Sequence, residues 1–243
     1  MIATTARPSP RARNSASPRV RSIELHGPAG KLEAVVNEGS PEAPFAALVC
    51  HPHPLGGGTM HNKVVYRAMK ALHAPEWGLR WPVLRFNFRG FGRSHGTYDG
   101  TAEADDVLAA LRWLENEYNR PIIAAGFSFG AAMVLRACCT QTDRTAAPLP
   151  VRALLAIGLP LRSGWHAKAR IYDYSFTADC PLPKLFLSGD HDQFAPRSEL
   201  IQAVASAAQP KHLALVPGAD HFFTGHLEPM QSALSGWLKE HVL

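Results

Sequence analysis

The stretch PIIAAGFSFGAAMVLRACC, Pro121–Cys139, places a serine between two glycines where one sequence pattern gives way to another. The apolar run before the serine is typical of a strand that is buried on both faces. The small and apolar residues after it predict a buried helix. Gly126 and Gly130 leave room for a sharp turn that lifts the Ser128 hydroxyl out of the sheet, as a nucleophilic serine requires. The alternative is a tight strand-to-helix turn with an inert serine.

The rest of the chain repeats this alternation of strand and helix. Apolar runs predict core strands at Phe45–Cys50, Pro82–Phe88, Pro121–Gly126, Val151–Ile157, Lys184–Ser188 and His212–Val216. Helical patterns lie at Asn62–His73, Glu103–Glu117, Phe129–Cys139, Ser198–Ala208 and Pro229–His241. The alternation predicts an α/β fold with a mostly parallel central sheet and helices on both faces. Before it, Ser22–His26 and Lys31–Asn37 flank a Gly-Pro-Ala-Gly turn and predict an antiparallel hairpin at the sheet edge.

The formal net charge of +5 has its origin at the start of the chain. Five arginines precede Ser22, and no acidic residue comes before Glu24. Because residues 1–21 are also rich in proline and serine, we expect a disordered basic tail. An Arg- and Ser-rich leader without acidic residues is also typical of an organelle transit peptide. Residues 22–243 are expected to form one domain.

Composition limits the partners and the compartment. No apolar run is long enough to span a bilayer, and no secretory signal core is visible. We therefore expect a cytoplasmic protein, or an organellar one if the tail is a transit peptide. The four cysteines are expected to be reduced and suggest neither a disulfide framework nor a zinc site. We expect a small-molecule substrate, no nucleic-acid partner and no cofactor, and leave the oligomeric state open.

The two last predicted strands are followed by the groups that would activate a serine. GDHDQFAP contains Asp190 and Asp192, and PGADHFF contains Asp220 and His221. The order serine, acid, histidine is the one that this type of strand-to-helix turn requires. We predict His221 as the general base and Asp192, which lies further into its loop, as the acid that orients it. Asp190 is expected to hold loop amides, and Asp220 is expected to be a turn residue.

Two backbone amides are candidates to stabilise a developing oxyanion. One is the N–H of Phe129, which directly follows the serine at the start of its helix. The other comes from the loop CHPHPLGGG after the first core strand. Prolines at positions 52 and 54 have no N–H, so we favour His53 over Leu55 as the second donor.

The same loop admits a rival interpretation as a metal site. His51 and His53 form an H-x-H pair at a strand end, and His61 follows. A metallohydrolase would need further ligands, and the later strands offer none in a recognisable pattern. We therefore predict no metal site, and expect His51 to anchor the loop by hydrogen bonds. Arg89 and Arg93 are likewise expected to anchor loops, through backbone carbonyls.

A substrate pocket is expected above the serine. Pro160–Pro183 interrupts the strand and helix alternation and is rich in aromatic residues, so we predict a short lid or pocket wall there. The side chains expected to line the pocket are Leu55, Phe127, Trp165, Tyr174 and Phe222. An apolar pocket of this kind favours small or medium neutral acyl groups.

Taken together, five blocks of the chain resemble the α/β-hydrolase superfamily: CHPHPLGGGTMHNKVV, LRFNFRGFGRSHG, AGFSFGAA, LFLSGDHDQFAP and GADHFF. Within it the chain is similar to small predicted hydrolases related to dienelactone hydrolases and Xaa-Pro peptidase-like esterases. The resemblance implies the nucleophile at Ser128, the acid at Asp192 and the base at His221. Dienelactone hydrolases proper carry a cysteine in place of this serine, so dienelactone chemistry is not implied.

Two classes of function are compatible with these features. The first is a serine hydrolase that cleaves carboxylic esters, thioesters or small amides through an acyl-enzyme on Ser128. The second is a hydrolase fold that has become a binding or scaffold module. The presence of all three triad residue types in the expected order favours the first.

Overall fold

The computed structural model describes residues 19–74, 76, 79–140, 148–162 and 171–243. Within them, eight strands form one sheet in the order β1-β2-β4-β3-β5-β6-β7-β8. The strands are β1 (Val20–Gly27), β2 (Gly30–Asn37), β3 (Ala46–Cys50), β4 (Val83–Phe86), β5 (Ile122–Phe127), β6 (Val151–Ile157), β7 (Lys184–Gly189) and β8 (Lys211–Val216). The pairs β1–β2 and β2–β4 are antiparallel, and all other neighbours are parallel.

Helices cover both faces of this sheet, as predicted. They are α1 (Lys63–Leu72), α2 (Glu103–Tyr118), α3 (Phe129–Cys139), α4 (Arg197–Ala205) and α5 (Leu227–His241). The apolar sides of α1 and α5 share one core cluster with the sheet, and those of α2, α3 and α4 share the other. The predicted fold class is therefore confirmed, and the predicted edge hairpin is the β1–β2 pair.

The central strands show why the chain builds two cores. In β3, Leu48 and Cys50 belong to the cluster with α3, whereas Ala47 and Val49 belong to the cluster with α1. Successive side chains of a strand point to opposite faces, so a strand covered on both faces must be apolar at every position. All five residues of β3 are buried. This arrangement holds the carboxyl ends of β3, β5, β7 and β8 at one edge of a rigid sheet.

The ordered domain begins before the predicted boundary at residue 22. Strand β1 starts at Val20, and the Arg19 carbonyl accepts a hydrogen bond from the Glu38 amide. Arg21 forms ion pairs with Glu38 and Glu117, so it belongs to the domain and not to the basic tail. Residues 1–18 of the predicted tail lie outside the described residues.

The two arginines of the loop after β4 anchor it through carboxylates and not through backbone carbonyls. Arg89 forms a buried ion pair with Asp106 in the first turn of α2, with Nη2 and Oδ1 2.7 Å apart. Arg93 pairs with Glu33 of β2 at 2.9 Å. Carboxylates accept from the planar guanidinium group at two oxygens at once, which fixes its direction better than a single carbonyl does. In the described part of the chain, no helix combines the length and the apolar character needed to cross a membrane.

Candidate active site

Three side chains from separate loops meet at the carboxyl edge of the sheet. Ser128 directly follows β5, and its Oγ lies 2.9 Å from Nε2 of His221, in the loop after β8. The other ring nitrogen of His221, Nδ1, lies 2.8 Å from Oδ2 of Asp192, in the loop after β7. All three side chains are buried. The structure thus brings the predicted serine, histidine and acid into one continuous hydrogen-bonded chain.

Ser128 sits in a strained turn that only its glycine neighbours permit. Its backbone φ is 55°, a region that residues with a side chain rarely adopt. A Cβ at Gly126 would lie 2.3 Å from the Gly130 carbonyl carbon, and a Cβ at Gly130 would lie 2.5 Å from the Cys50 carbonyl oxygen. The first glycine therefore allows the sharp turn, and the second allows α3 to begin against the end of β3.

The two aspartates of the loop after β7 have different hydrogen-bond partners. Asp192 is 3% exposed, and its Oδ1 accepts from the amides of Phe194 (2.8 Å) and Ala195 (3.2 Å). Its Oδ2 accepts from the Ser188 hydroxyl at 3.1 Å in addition to His221. These donors hold both oxygens of the carboxylate, so its direction toward His221 is fixed. Asp190 instead accepts the Gly218 amide at 2.7 Å and ties the β7 and β8 loops together, as expected.

The His221 ring is enclosed by aromatic side chains. Phe194 packs edge-on at a centroid distance of 4.6 Å, Phe127 lies at 5.3 Å, and Phe222 lies at 5.2 Å. In the same loop, the Asp220 carboxylate accepts from two later backbone amides and is the turn residue that the sequence predicts. This packing leaves the ring few alternative orientations, which keeps Nε2 directed at the serine.

His51 controls the peptide that carries one of the predicted oxyanion donors. Its Nε2 accepts from the Phe88 amide at 3.1 Å, so Nδ1 carries the proton and donates to the Pro52 carbonyl at 2.7 Å. A trans peptide is planar, so fixing the Pro52 carbonyl also fixes the N–H of His53, which points the opposite way. Both nitrogens of His51 are thus used within the protein, which removes this residue from the rival metal pair.

Burial keeps the His51 imidazole neutral. The ring is fully enclosed, and desolvation lowers its pKa from 6.5 to about 4. A protonated ring would lose its acceptor nitrogen and with it the hydrogen bond from Phe88. The neutral tautomer is therefore the one that holds the His53 peptide.

Both predicted oxyanion donors border the same space as the serine. Phe129 is the first residue of α3, and the first amides of a helix have no intrahelical partner. The rings of Phe129 and His53 pack edge-on at 5.3 Å, and Nε2 of His53 lies 2.9 Å from the Tyr98 hydroxyl. The close approach of α3 to the end of β3 therefore brings the two amide-bearing segments together beside Ser128.

Comparison with known proteins agrees with this geometry. A sequence model of the alpha/beta hydrolase family matches residues 47–175. The chain belongs to the alpha/beta hydrolase family. An uncharacterized protein of Rickettsia prowazekii is 36% identical to this hydrolase over 225 residues, which cover 89% of this chain and 87% of the relative.

Solved structures resemble the hydrolase over nearly its whole length. An alpha-beta serine hydrolase homologue from Coxiella burnetii is 34% identical, with a TM-score of 0.76 over 90% of this chain and 97% of that one. A serine hydrolase from Xanthomonas campestris, described as having no lid, is 31% identical, with a TM-score of 0.73 over 91% and 94%. The chain is thus similar to serine hydrolases in both sequence and fold.

A cleft of about 560 Å³, including its open mouth, lies over Ser128 in the hydrolase. Its described lining comes from five parts of the chain. These are the loop after β3 with the start of α1, the serine turn, the loops after β7 and β8, and the segment after β6: Pro52, His53, Gly56, Gly57, Gly58, Asn62, Ser128, Phe129, Pro160, Arg162, Tyr172, Phe194, His221 and Phe222. Of the predicted pocket residues, Phe222 is among them. Tyr172 belongs to the aromatic segment that we predicted as a pocket wall, whereas Arg162 and Phe194 were not predicted as pocket residues.

Three residues that we expected in the pocket are not part of its described lining. Phe127 is fully buried on the face of the sheet that α1 and α5 cover, where its ring packs against the His221 ring. Leu55 lies in a 3-10 turn, and 57% of it is exposed to solvent. The Tyr174 hydroxyl donates to the Pro160 carbonyl at 2.7 Å, and its ring packs against the core. Trp165 lies outside the described residues.

Proposed function

We propose that this hydrolase cleaves carboxylic esters through an acyl-enzyme on Ser128, with thioesters or small amides as further substrates. The observation that carries the proposal is the buried chain from Ser128 Oγ to His221 Nε2 and from His221 Nδ1 to Asp192 Oδ2. A serine hydroxyl is a weak nucleophile unless a positioned base removes its proton. Here the base lies within hydrogen-bonding distance and is itself oriented by a carboxylate.

In the first half of the reaction, Ser128 Oγ attacks the ester carbonyl carbon while His221 Nε2 takes the hydroxyl proton. The carbonyl oxygen becomes an oxyanion, which the N–H groups of Phe129 and His53 stabilise. The intermediate then collapses. The bond to the leaving alcohol breaks, His221 returns the proton to that alcohol, and the acyl group stays on the serine.

In the second half, water takes the place of the alcohol. His221 removes a proton from the water, which attacks the acyl carbon through the same oxyanion. Collapse releases the carboxylic acid and restores the Ser128 hydroxyl. Asp192 accepts a hydrogen bond from the Nδ1–H group throughout and stabilises the imidazolium form of His221. Every step uses groups of the chain itself, so the proposal includes no cofactor.

Hydrolysis of p-nitrophenyl esters by matched serine variants tests this proposal. Ser128→Ala should reduce kcat/KM by a factor on the order of 10⁴ or more, because the nucleophile is lost while the turn is retained. Ser206→Ala is the control, since this serine is exposed at the end of α4 and its hydroxyl donates to the Gln202 carbonyl of the same helix. Equal activity of the two variants would contradict the mechanism. A wild-type protein that hydrolyses no ester, thioester or amide would favour the scaffold hypothesis.

A further inference from the structure

The wall of the cleft contributed by the segment after β6 carries a charge. Of the described residues that line the cleft, Arg162 alone has a permanently charged side chain, and none is an aspartate or glutamate. The remaining lining is apolar, aromatic, glycine or neutral polar, with the histidines and Tyr172 as the other titratable groups. An arginine stays protonated at every pH at which an esterase operates. The cleft therefore presents a fixed positive charge to its substrate.

The backbone of Arg162 is fixed beside the reacting groups. The Phe194 carbonyl accepts hydrogen bonds from the amides of Leu161 (3.0 Å) and Arg162 (3.2 Å). Arg162 also forms an antiparallel bridge with Ile171. The Phe194 ring packs edge-on against His221, so a single residue separates the Arg162 backbone from the catalytic imidazole. The position of the charge is thus tied to the loop that carries Asp192.

The Arg162 guanidinium group has N–H donors left to bind a ligand. Its Nη2 pairs with Glu199 in the first turn of α4, and 47% of the Arg162 side chain is exposed. Glu199 is not part of the described lining of the cleft. A guanidinium group has five N–H donors in a planar fork, so one carboxylate partner does not exhaust it. Glu199 binds one side of the Arg162 guanidinium group, and the remaining N–H donors can bind a second acceptor in the cleft.

We propose that Arg162 binds a carboxylate carried by the substrate, so that the hydrolase prefers esters with a free acid group away from the scissile bond. This inference rests on the proposed esterase function and names the substrate class of the same site. A carboxylate matches the guanidinium fork in shape and charge. A neutral ester fills the same apolar cleft without that partner and binds less well.

Two esters of equal chain length test the inference: mono-p-nitrophenyl adipate, which carries a free carboxylate, and neutral p-nitrophenyl hexanoate. The measured quantity is the ratio of their kcat/KM values, adipate over hexanoate. Arg162→Gln should lower this ratio by about fivefold, the size expected for a partly exposed ion pair. Glu199→Gln should raise it, because it removes a negative charge beside the same guanidinium group. For the wild type, added salt should lower the ratio, because it screens exposed charges.

The outcomes separate this inference from the proposed function. If the hexanoate is hydrolysed but the ratio is the same in the wild type and Arg162→Gln, the carboxylate subsite is wrong and the esterase proposal stands. If the wild type hydrolyses neither ester, both proposals fail. If Arg162→Gln does not fold, the inference is tested by the wild type in added salt and by Glu199→Gln. An adipate-to-hexanoate ratio that neither of them changes overturns the inference.

Discussion

The loops at the strand ends and the segment between β6 and β7 line the same cleft, but they are built in different ways. The strand-end loops follow β3, β5, β7 and β8, and their turns are shaped by residues close in sequence. Asp192, for example, accepts from the amides of Phe194 and Ala195. The segment between β6 and β7 is held by distant partners. Tyr174 packs against the core that includes α3, and the Arg162 amide bonds to the loop after β7.

This contrast separates catalytic chemistry from specificity. In the proposed mechanism, the strand-end loops hold the groups that act on any ester, and the turns that carry these groups depend on short-range turn chemistry. The segment after β6 contributes Pro160, Arg162 and Tyr172 to the cleft, which are the residues that would distinguish one ester from another. Changes to the catalytic groups of the first region should therefore affect turnover of all substrates, whereas changes to side chains that line the cleft should affect the choice among them.

After the loss expected for Ser128→Ala, the largest effect is expected in the loop after β7. Asp192→Asn should reduce kcat by roughly 10³–10⁴, because an amide cannot stabilise the imidazolium and favours the wrong tautomer of His221. Asp190→Asn is the matched control in the same loop, and its kcat should change little, since Asp190 holds the Gly218 amide. Steady-state kinetics with one p-nitrophenyl ester compares them. The reverse ranking would assign the orienting acid to Asp190.

The strand-end region is also the part that the sequence predicted best. The serine turn, the aspartate loop and the histidine loop each depend on glycines, prolines and acids within a few residues, so their structure is readable locally. Phe127 is a residue whose position the local sequence did not predict correctly. Its position next to the serine suggested a pocket residue, but alternation along β5 directs it to the opposite face. The aromatic residues of the segment after β6 predicted a pocket wall that includes Tyr172, whereas Arg162 reaches the cleft through tertiary packing, for which no local sequence signal exists.

A second effect concerns stability and pH, and it arises from His51. Its pKa is about 4 in the folded protein and about 6.5 in the unfolded chain, so unfolding takes up a proton between these values. This contribution to stability is complete above pH 6.5 and is lost as the pH falls toward 4. From pH 7 to pH 5 the loss should be about 2 kcal/mol. Urea denaturation should show a weaker pH dependence for His51→Gln than for the wild type, and equal slopes would contradict the buried neutral ring.

The same residue should affect turnover through the oxyanion. His51→Gln removes the Nδ1 donor to the Pro52 carbonyl and loosens the His53 amide, so kcat should fall by roughly tenfold, with little change in KM. His51→Asn retains an amide N–H near the position of Nδ1 and should recover part of that loss. Kinetics on a neutral ester measures both variants. A change in KM alone would mean that the loop binds substrate but does not stabilise the oxyanion.

The smallest effects are expected from two aromatic residues that we predicted together and that the structure separates. Phe222→Ala should change the chain-length preference by about fivefold, because its ring lines the cleft. Tyr174→Phe should leave the preference unchanged and lower the melting temperature by about 2–4 °C, since it loses the hydrogen bond to Pro160. A series of p-nitrophenyl esters and a thermal melt test the pair. A changed chain-length preference in Tyr174→Phe would indicate that Tyr174 lines the pocket after all.

The central claim is that Ser128 is the nucleophile and that His221 activates it. The most direct test is to treat the folded protein with a fluorophosphonate and to locate the adduct by peptide mass spectrometry. The account predicts one adduct, on the peptide that contains Ser128, with no labelling of Ser128→Ala and much slower labelling of His221→Ala. An adduct on another residue, or no adduct on folded wild-type protein, would contradict it.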